Sequence, residues 1–223
     1  MSAAQRRRRI ASRGQGLVEF AMLVPVFLVL LLGMLELGLA FTHNLTLEYS
    51  TREGARVGAA LVNGGGTLGC GAGQSPNAAT VDPLIIAAVE RVLTSPGSQV
   101  RLADVSQIRI YKADGAGDQA SAPPTPPGSP TPVNVWTYRD PLIAVNPTVG
   151  SQELNFYASS TAWPACGRTN STALPGPDSL GVSLAYTYRF QTGLGAIARF
   201  IGGGMGPTLQ MTDRTIMALN PTQ

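Results

Sequence analysis

From Leu17 to Phe41 the chain is apolar except for two acids, Glu19 and Glu36, and sixteen uncharged residues run unbroken from Phe20 to Leu35. With its flanks the run is long enough to cross a bilayer, which takes about 20 apolar residues in a helix. The spacing of the two acids corresponds to about 26 Å of helix at about 1.5 Å per residue, against a hydrocarbon core of about 30 Å. Both carboxylates therefore fall near opposite membrane edges. Arg6, Arg7, Arg8, Arg9 and Arg13 precede the run, and only Arg52 and Arg56 follow it closely. That excess of cations on the amino side predicts a cytoplasmic N-terminus, with residues 42–223 outside.

The basic balance of the chain belongs to this leader. Of 16 basic and 13 acidic residues, residues 1–14 hold five arginines and no acid, which leaves 11 basic against 13 acidic groups beyond them. Lys112 is the single lysine, so the outer part shows no basic patch for phosphates and nucleic acid is not an expected partner. Catalytic chemistry also finds few tools: His43 is the single histidine and stands close to the membrane, so the outer serines lack a base, and no nucleophile elbow occurs. Asp114 and Asp118 lie in a Gly/Ala-rich stretch and read as solvated charges, and Asp104, Asp140 and Asp178 could meet in space only if the fold brings them together. Gly64-Gly65-Gly66 and Gly202-Gly203-Gly204 lack the lysine and hydroxyl of a phosphate loop and read as turns. No enzyme, metal or cofactor is expected. Cys70 and Cys166 both lie beyond the span, where disulfides persist. Bridged, they would stabilise the domain by up to about 4.7 kcal/mol on a chain-entropy argument; the alternative is a pair of buried free thiols.

Cleavage of the leader has two possible positions. Gly38-Leu39-Ala40 supplies small residues for a secretory cut before Phe41, but the apolar run is too long and Glu36 is badly placed for that. The other cut follows Gly14 on the cytoplasmic side, making Gln15 the new terminus and Glu19 the fifth residue, followed by Phe20. A glycine, four residues, an acid and an aromatic resemble the prepilin peptidase site of Flp-type pilins. Gly14-Gln15-Gly16-Leu17-Val18-Glu19-Phe20-Ala21 with Pro25, and then Arg52-Glu53-Gly54-Ala55-Arg56, resemble the TadE-like family of minor pilins or pseudopilins. Val182 to Tyr188 and Arg214 are similar to that family's closing pattern, while Asn220-Pro221 departs from its acid beside the final proline.

The resemblance implies a component of a Tad/Flp-type pilus. Its partners would be a prepilin peptidase, other pilins or pseudopilins of the same filament, an inner-membrane assembly platform, and lipid. It gives Glu19 a role: an ionised carboxylate at the membrane edge attracts the amine freed by cleavage on a neighbouring subunit, which sets axial register. Glu36 lacks such a context and reads as an interfacial acid. A second reading stands beside this one, an uncleaved single-pass anchor carrying a binding module of the cell envelope.

Beyond the membrane, residues Thr42 to Val62 contain no proline and set Glu48, Arg52 and Arg56 at four-residue intervals, which continues the helix with an i,i+4 pair between Glu48 and Arg52. Gly54 and Gly58 share its face and read as local packing, and Asn63-Gly64-Gly65-Gly66 ends it. Asp82-Pro83 reads as the cap and first turn of a second helix carrying Ile85, Val89 and Val92. Alternation predicts strands over 107–111, 133–138 and 182–188, with a last candidate over 208–219. Residues 113–132, rich in Pro, Gly, Ser and Ala, are expected to be an exposed mobile loop. Gly193 to Gly204 forms an apolar, glycine-punctuated stretch that reads as core or sheet-edge cover, with a membrane-facing patch as the alternative. The expected organisation is a leader over 1–14, a membrane helix over 15–41 and an outer domain over 42–223. The fold class is α+β, a long N-terminal transmembrane helix continuing into a pilin-like outer domain with a small antiparallel sheet.

Overall fold

The computed structural model describes residues 3–61, 78–120, 132–139, 148–170, 176–193, 195 and 206–219. Helix α1 spans Ala3–Leu61 and α2 spans Ala78–Leu93. Seven strands follow: β1 (Val105–Ala113), β2 (Val133–Tyr138), β3 (Thr148–Val149), β4 (Gln152–Glu153), β5 (Phe156–Thr161), β6 (Ser179–Arg189) and β7 (Thr208–Ala218). Five of them form one sheet in the order β5-β2-β1-β6-β7, while β3 and β4 pair separately. The β1/β2, β1/β6 and β2/β5 pairs are antiparallel. The α+β expectation, a long apolar helix followed by a small helix and an antiparallel sheet, is met.

The chain divides into two units, residues 1–41 with 189–209, and residues 42–188 with 210–223. In the first, the apolar stretch of α1 stands exposed: Leu17, Phe20, Met22 and Phe27 are each more than 60% accessible. It is the one helix among the described residues long and apolar enough to cross a membrane. Pro25 lies inside it; such a proline is tolerated in membrane helices, where the freed carbonyl is satisfied locally. A backbone hydrogen bond of 3.1 Å from Phe190 N–H to the Pro207 carbonyl closes the connection between β6 and β7 within this unit.

In the second unit, the alternation along β1 and β6 sorts side chains onto two faces. Ile108 pairs with Leu184 and Ile110 with Val182, and all four are fully buried. Residues 42–61 of α1, together with α2, cover this face. Gly54 lies against Val182, Ile85 and Val89, and Gly58 against Leu180 and Ile85. The opposite face holds a smaller cluster of Tyr111, Ala113 and Val133 with Val135 and Ile216 packed on it. Its ring packing depends on Gly181, paired with Tyr111 across the strands: a Cβ there would lie 2.3 Å from the tyrosine Cζ.

Three local features revise the sequence reading or add to it. First, α2 begins at Ala78 and contains Pro83. Asp82 is no cap; it is buried and turned toward β2 and the segment after β5. Second, residues 114–120 fold back onto β1. Asp114 Oδ1 accepts the backbone N–H groups of Ala116 and Asp118 at 2.9 Å, Gly117 takes a φ of 83°, and Ala113 bridges Gln119. Third, β5 follows β2 at the sheet edge, where no alternation signals it. The expected helix end at Asn63-Gly64-Gly65-Gly66 lies outside the described residues. So does residue range 121–131, and most of the stretch from Gly193 to Gly204.

Candidate functional site

The sequence singles out the start of α1. Gln15, Glu19 and Phe20 are exposed on consecutive turns, and Gln15 Nε2 donates to Glu19 Oε1 at 3.2 Å. That is the one hydrogen bond described for the Glu19 carboxylate. An exposed acid at the edge of an apolar helix, without a cation beside it among the residues from Gln15 onward whose side chains are described, is open to a charge from elsewhere. Gly14 lies within α1 just ahead of it.

Glu36 is different in kind. It is 2% exposed, and its two carboxylate oxygens accept the backbone N–H groups of Gln191 at 2.9 Å and Thr192 at 2.8 Å. Leu35 and Leu37 on either side are more than half exposed. The interfacial acid expected from the sequence is instead a buried clamp on the chain just after β6. Nothing local announces it, because the donors are 155 and 156 residues away. Two amide donors offset the burial of a charge that would otherwise cost several kcal/mol.

The motif Arg52-Glu53-Gly54-Ala55-Arg56 resolves into three tasks. Arg52 pairs with Glu48 on the exposed face, as the spacing predicted. Glu53 receives Arg56 through Nε at 2.9 Å and Nη2 at 2.7 Å, and Arg91 of α2 at 3.1 Å. The fork from Arg56 holds the Glu53 carboxyl below its usual range, since hydrogen bonds and cations favour the charged form. Gly54 and Ala55 turn inward. A Cβ on Gly54 would stand 2.6 Å from Val89 Cγ2, and one on Gly58 would stand 2.9 Å from Ile85 Cδ1. The glycine pair therefore sets the approach of α1 to α2 and the sheet within the subunit.

His43, expected close to the membrane, is 1% exposed. Its Nδ1 lies 3.2 Å from the Tyr186 hydroxyl, and its ring meets Tyr188 edge to face at 5.0 Å. Asp104 and Asp178 stay apart, the first near Arg101 at 3.9 Å and the second on Lys112 at 2.6 Å, while Asp140 lies outside the described residues. Asp114 makes its turn, and Asp118 pairs with Arg214. Among the described residues no cluster of three or more His, Cys, Asp or Glu could hold a metal ion. Cys166 sits in a short 3-10 turn, Ala165–Gly167, and Cys70 lies outside the described residues.

A buried polar network escaped sequence reasoning. Arg168 is fully buried; its Nη2 donates to Asp82 Oδ1 at 2.6 Å and to the Trp163 carbonyl at 3.2 Å, and its guanidinium lies 4.6 Å from the Trp163 ring centroid. Asn134 of β2 donates to Asp82 Oδ2 at 2.6 Å and accepts from Trp163 N–H at 2.7 Å. The network joins α2, β2 and the turn next to Cys166. An isolated arginine and an aspartate beside a proline give no sequence signal for it.

A family model described as TadE-like protein matches residues 14–56. The matched segment opens on Gly14, contains Glu19, the apolar run and Glu36, and closes on Arg56, so it takes in every residue on which the sequence resemblance was strongest. The rest of the chain, including α2 and the whole sheet, lies outside it. No curated protein and no solved structure matches the chain.

Proposed function

We propose that this chain, TadE-like over residues 14–56, is a minor pilin or pseudopilin of a Tad/Flp-type pilus. A prepilin peptidase cuts it after Gly14, and it then takes part in filament assembly from the inner membrane. The observation that carries the reading is the exposed Glu19, on a helix whose apolar side chains are exposed around it. The mature amine of Gln15 and a neighbour's Glu19 form the ion pair that fixes subunit register, in a low-dielectric setting that strengthens it. The clamp on Glu36 supports the division of labour, because that acid is buried on two amide donors of its own subunit, whereas Glu19 is exposed and takes a single side-chain donor. Packing and one charge pair are the chemistry required, and the role is structural rather than enzymatic.

The single-pass anchor has a cytoplasmic N-terminus and an extracytoplasmic domain, and its partners are the peptidase, fellow pilins, the assembly platform and lipid. Cys70 and Cys166 are bridged in this reading; two cysteines in the chain and no free cysteine among the described residues support it. A mass shift of the linked peptides on reduction checks the bridge.

Mass spectrometry of the amino terminus from native membranes tests the main claim. A mature chain starting at Gln15, and loss of filament incorporation in Glu19→Ala, are expected. Retention of residues 1–14, or a start at Phe41, refutes the processing; unchanged filaments in Glu19→Ala refute the ion pair.

A further inference from the structure

We propose that Gln15, once exposed as the mature terminus, is a modification site whose α-amine closes on its own carboxamide to give pyroglutamate, and that Glu19 of the same helix holds this reaction back. The inference rests on cleavage after Gly14. In the ring closure the lone pair of the uncharged α-amine attacks Cδ of the same residue and forms an N–Cδ bond. The Cδ–Nε2 bond then breaks, the proton lost by the amine passes to the departing nitrogen, and ammonia leaves. Nothing is oxidised or reduced, and no co-reactant is required. An α-amine has a pKa of about 7.7 to 8.0, so part of it is uncharged and nucleophilic near neutral pH.

The geometry opposes this step. Gln15 Nε2 is engaged by Glu19 Oε1 at 3.2 Å, so the carboxamide reaches one turn forward along α1. Ring closure requires it to leave Glu19 and fold back onto the terminal nitrogen of its own residue. Both side chains are exposed, so the restraint is that of a surface i,i+4 pair and slows closure by about twofold.

The lactam has no titratable nitrogen. A blocked subunit therefore cannot offer the ammonium that an adjoining Glu19 would neutralise, and it is unfit for the pairing proposed above. Glu19 thus acts across subunits as a charge partner and within its own subunit as a positioning residue that keeps the amine open. Once a neighbour's carboxylate holds the terminus as ammonium, the lone pair is occupied and closure stops. Unassembled subunits are the ones that become blocked.

The test follows the amino-terminal peptide of the full processed chain by mass spectrometry, in detergent at neutral pH, over successive days. In Glu19→Ala the form lighter by one ammonia should accumulate about twofold faster than in the native chain. Glu19→Gln keeps an oxygen that can accept from Gln15 and should stay near the native rate, although it lacks the charge for intersubunit pairing. Gln15→Ala should never lose ammonia. Equal rates in the native chain and Glu19→Ala, or no loss of ammonia from either, overturn the inference while leaving the cleavage standing. A chain that keeps residues 1–14 overturns the cleavage itself.

Discussion

Gly54 of α1 lies so close to Val89 of α2 that a single added carbon would stand 2.6 Å from the valine Cγ2. Because Val89 is fully buried and branched at Cβ, it has little freedom to swing aside. Gly54→Ala should therefore lose up to about 2 kcal/mol, as a helix-propensity gain of about 1 kcal/mol only partly offsets an overpacking cost of about 1 to 3 kcal/mol. Gly54→Leu gains nearly the same propensity but forces far more volume into the contact, and should lower stability by about 3 kcal/mol or more. Thermal unfolding of the purified chain in detergent measures both, and a Leu variant as stable as the native chain refutes the packing role.

Two acids near the α1/α2 contact should bend the stability profile in opposite directions. Burial pushes the Glu90 carboxyl above its usual range, although hydrogen bonds from Asn155 oppose the shift. A raised folded value means the folded state binds the proton more tightly. Its contribution is complete below the ordinary carboxyl range and is lost as pH rises through the folded value. Glu53, held low by Arg56, contributes above the ordinary range and loses that contribution as pH falls through its folded value. Denaturant midpoints across pH 3 to 8, in steps of about one unit, should show a shallower loss toward neutrality in Glu90→Gln and a shallower acid loss in Glu53→Gln. Profiles parallel to the native chain in both variants would contradict the assignments.

Removing Arg168 alone should be costly. Asp82 would keep only Asn134 as a partner, and loss of one member of a buried pair typically costs about 3 to 5 kcal/mol. Two guanidinium nitrogens, Nε and Nη1, have no partner among the described residues, so the native pair is itself imperfectly satisfied. The double change Arg168→Met with Asp82→Leu should cost markedly less than the two single changes added together. A double-mutant cycle read by chemical denaturation decides this, and strict additivity would remove the coupling.

The Glu36 clamp should register in amide exchange. Glu36→Ala deprives the Gln191 and Thr192 N–H groups of their acceptors, worth about 1 to 3 kcal/mol for a buried group. Exchange at the peptide covering 189–193 should accelerate by about tenfold or more, with β1 unaffected. An unchanged rate would show that the clamp does not hold the segment.

Legibility of this chain followed the physics of each element. The long apolar helix was readable from its unbroken run, and β1, β2 and β6 because a buried face imposes a period on the sequence. Strand β5 was not: Ala158, Ser159, Ser160 and Thr161 are all exposed at the sheet edge, so no alternation is required of them. Asp82-Pro83 carried the residue types of a helix start, yet α2 begins four residues earlier and uses the aspartate for a long-range contact with Arg168. At the candidate site, Glu19 and the 52–56 motif were legible through local pattern and resemblance. Glu36 was misread, because the partners that redefine it are brought in by the fold and not by neighbouring sequence.

Strand β1 sits at the middle of the five-stranded sheet, between β2, which follows it by some twenty residues, and β6, which arrives much later. The face that receives α1 is built from β6 residues Leu180 and Val182. A chain synthesised from its amino end must therefore have delivered nearly all of its length before the core can close. Until then Ile108 and Ile110 have no strand on one flank, and the emerging segment is open to proteases and to pairing with other chains. Closure of this core is thus a late event, waiting on the part of the chain that carries β6.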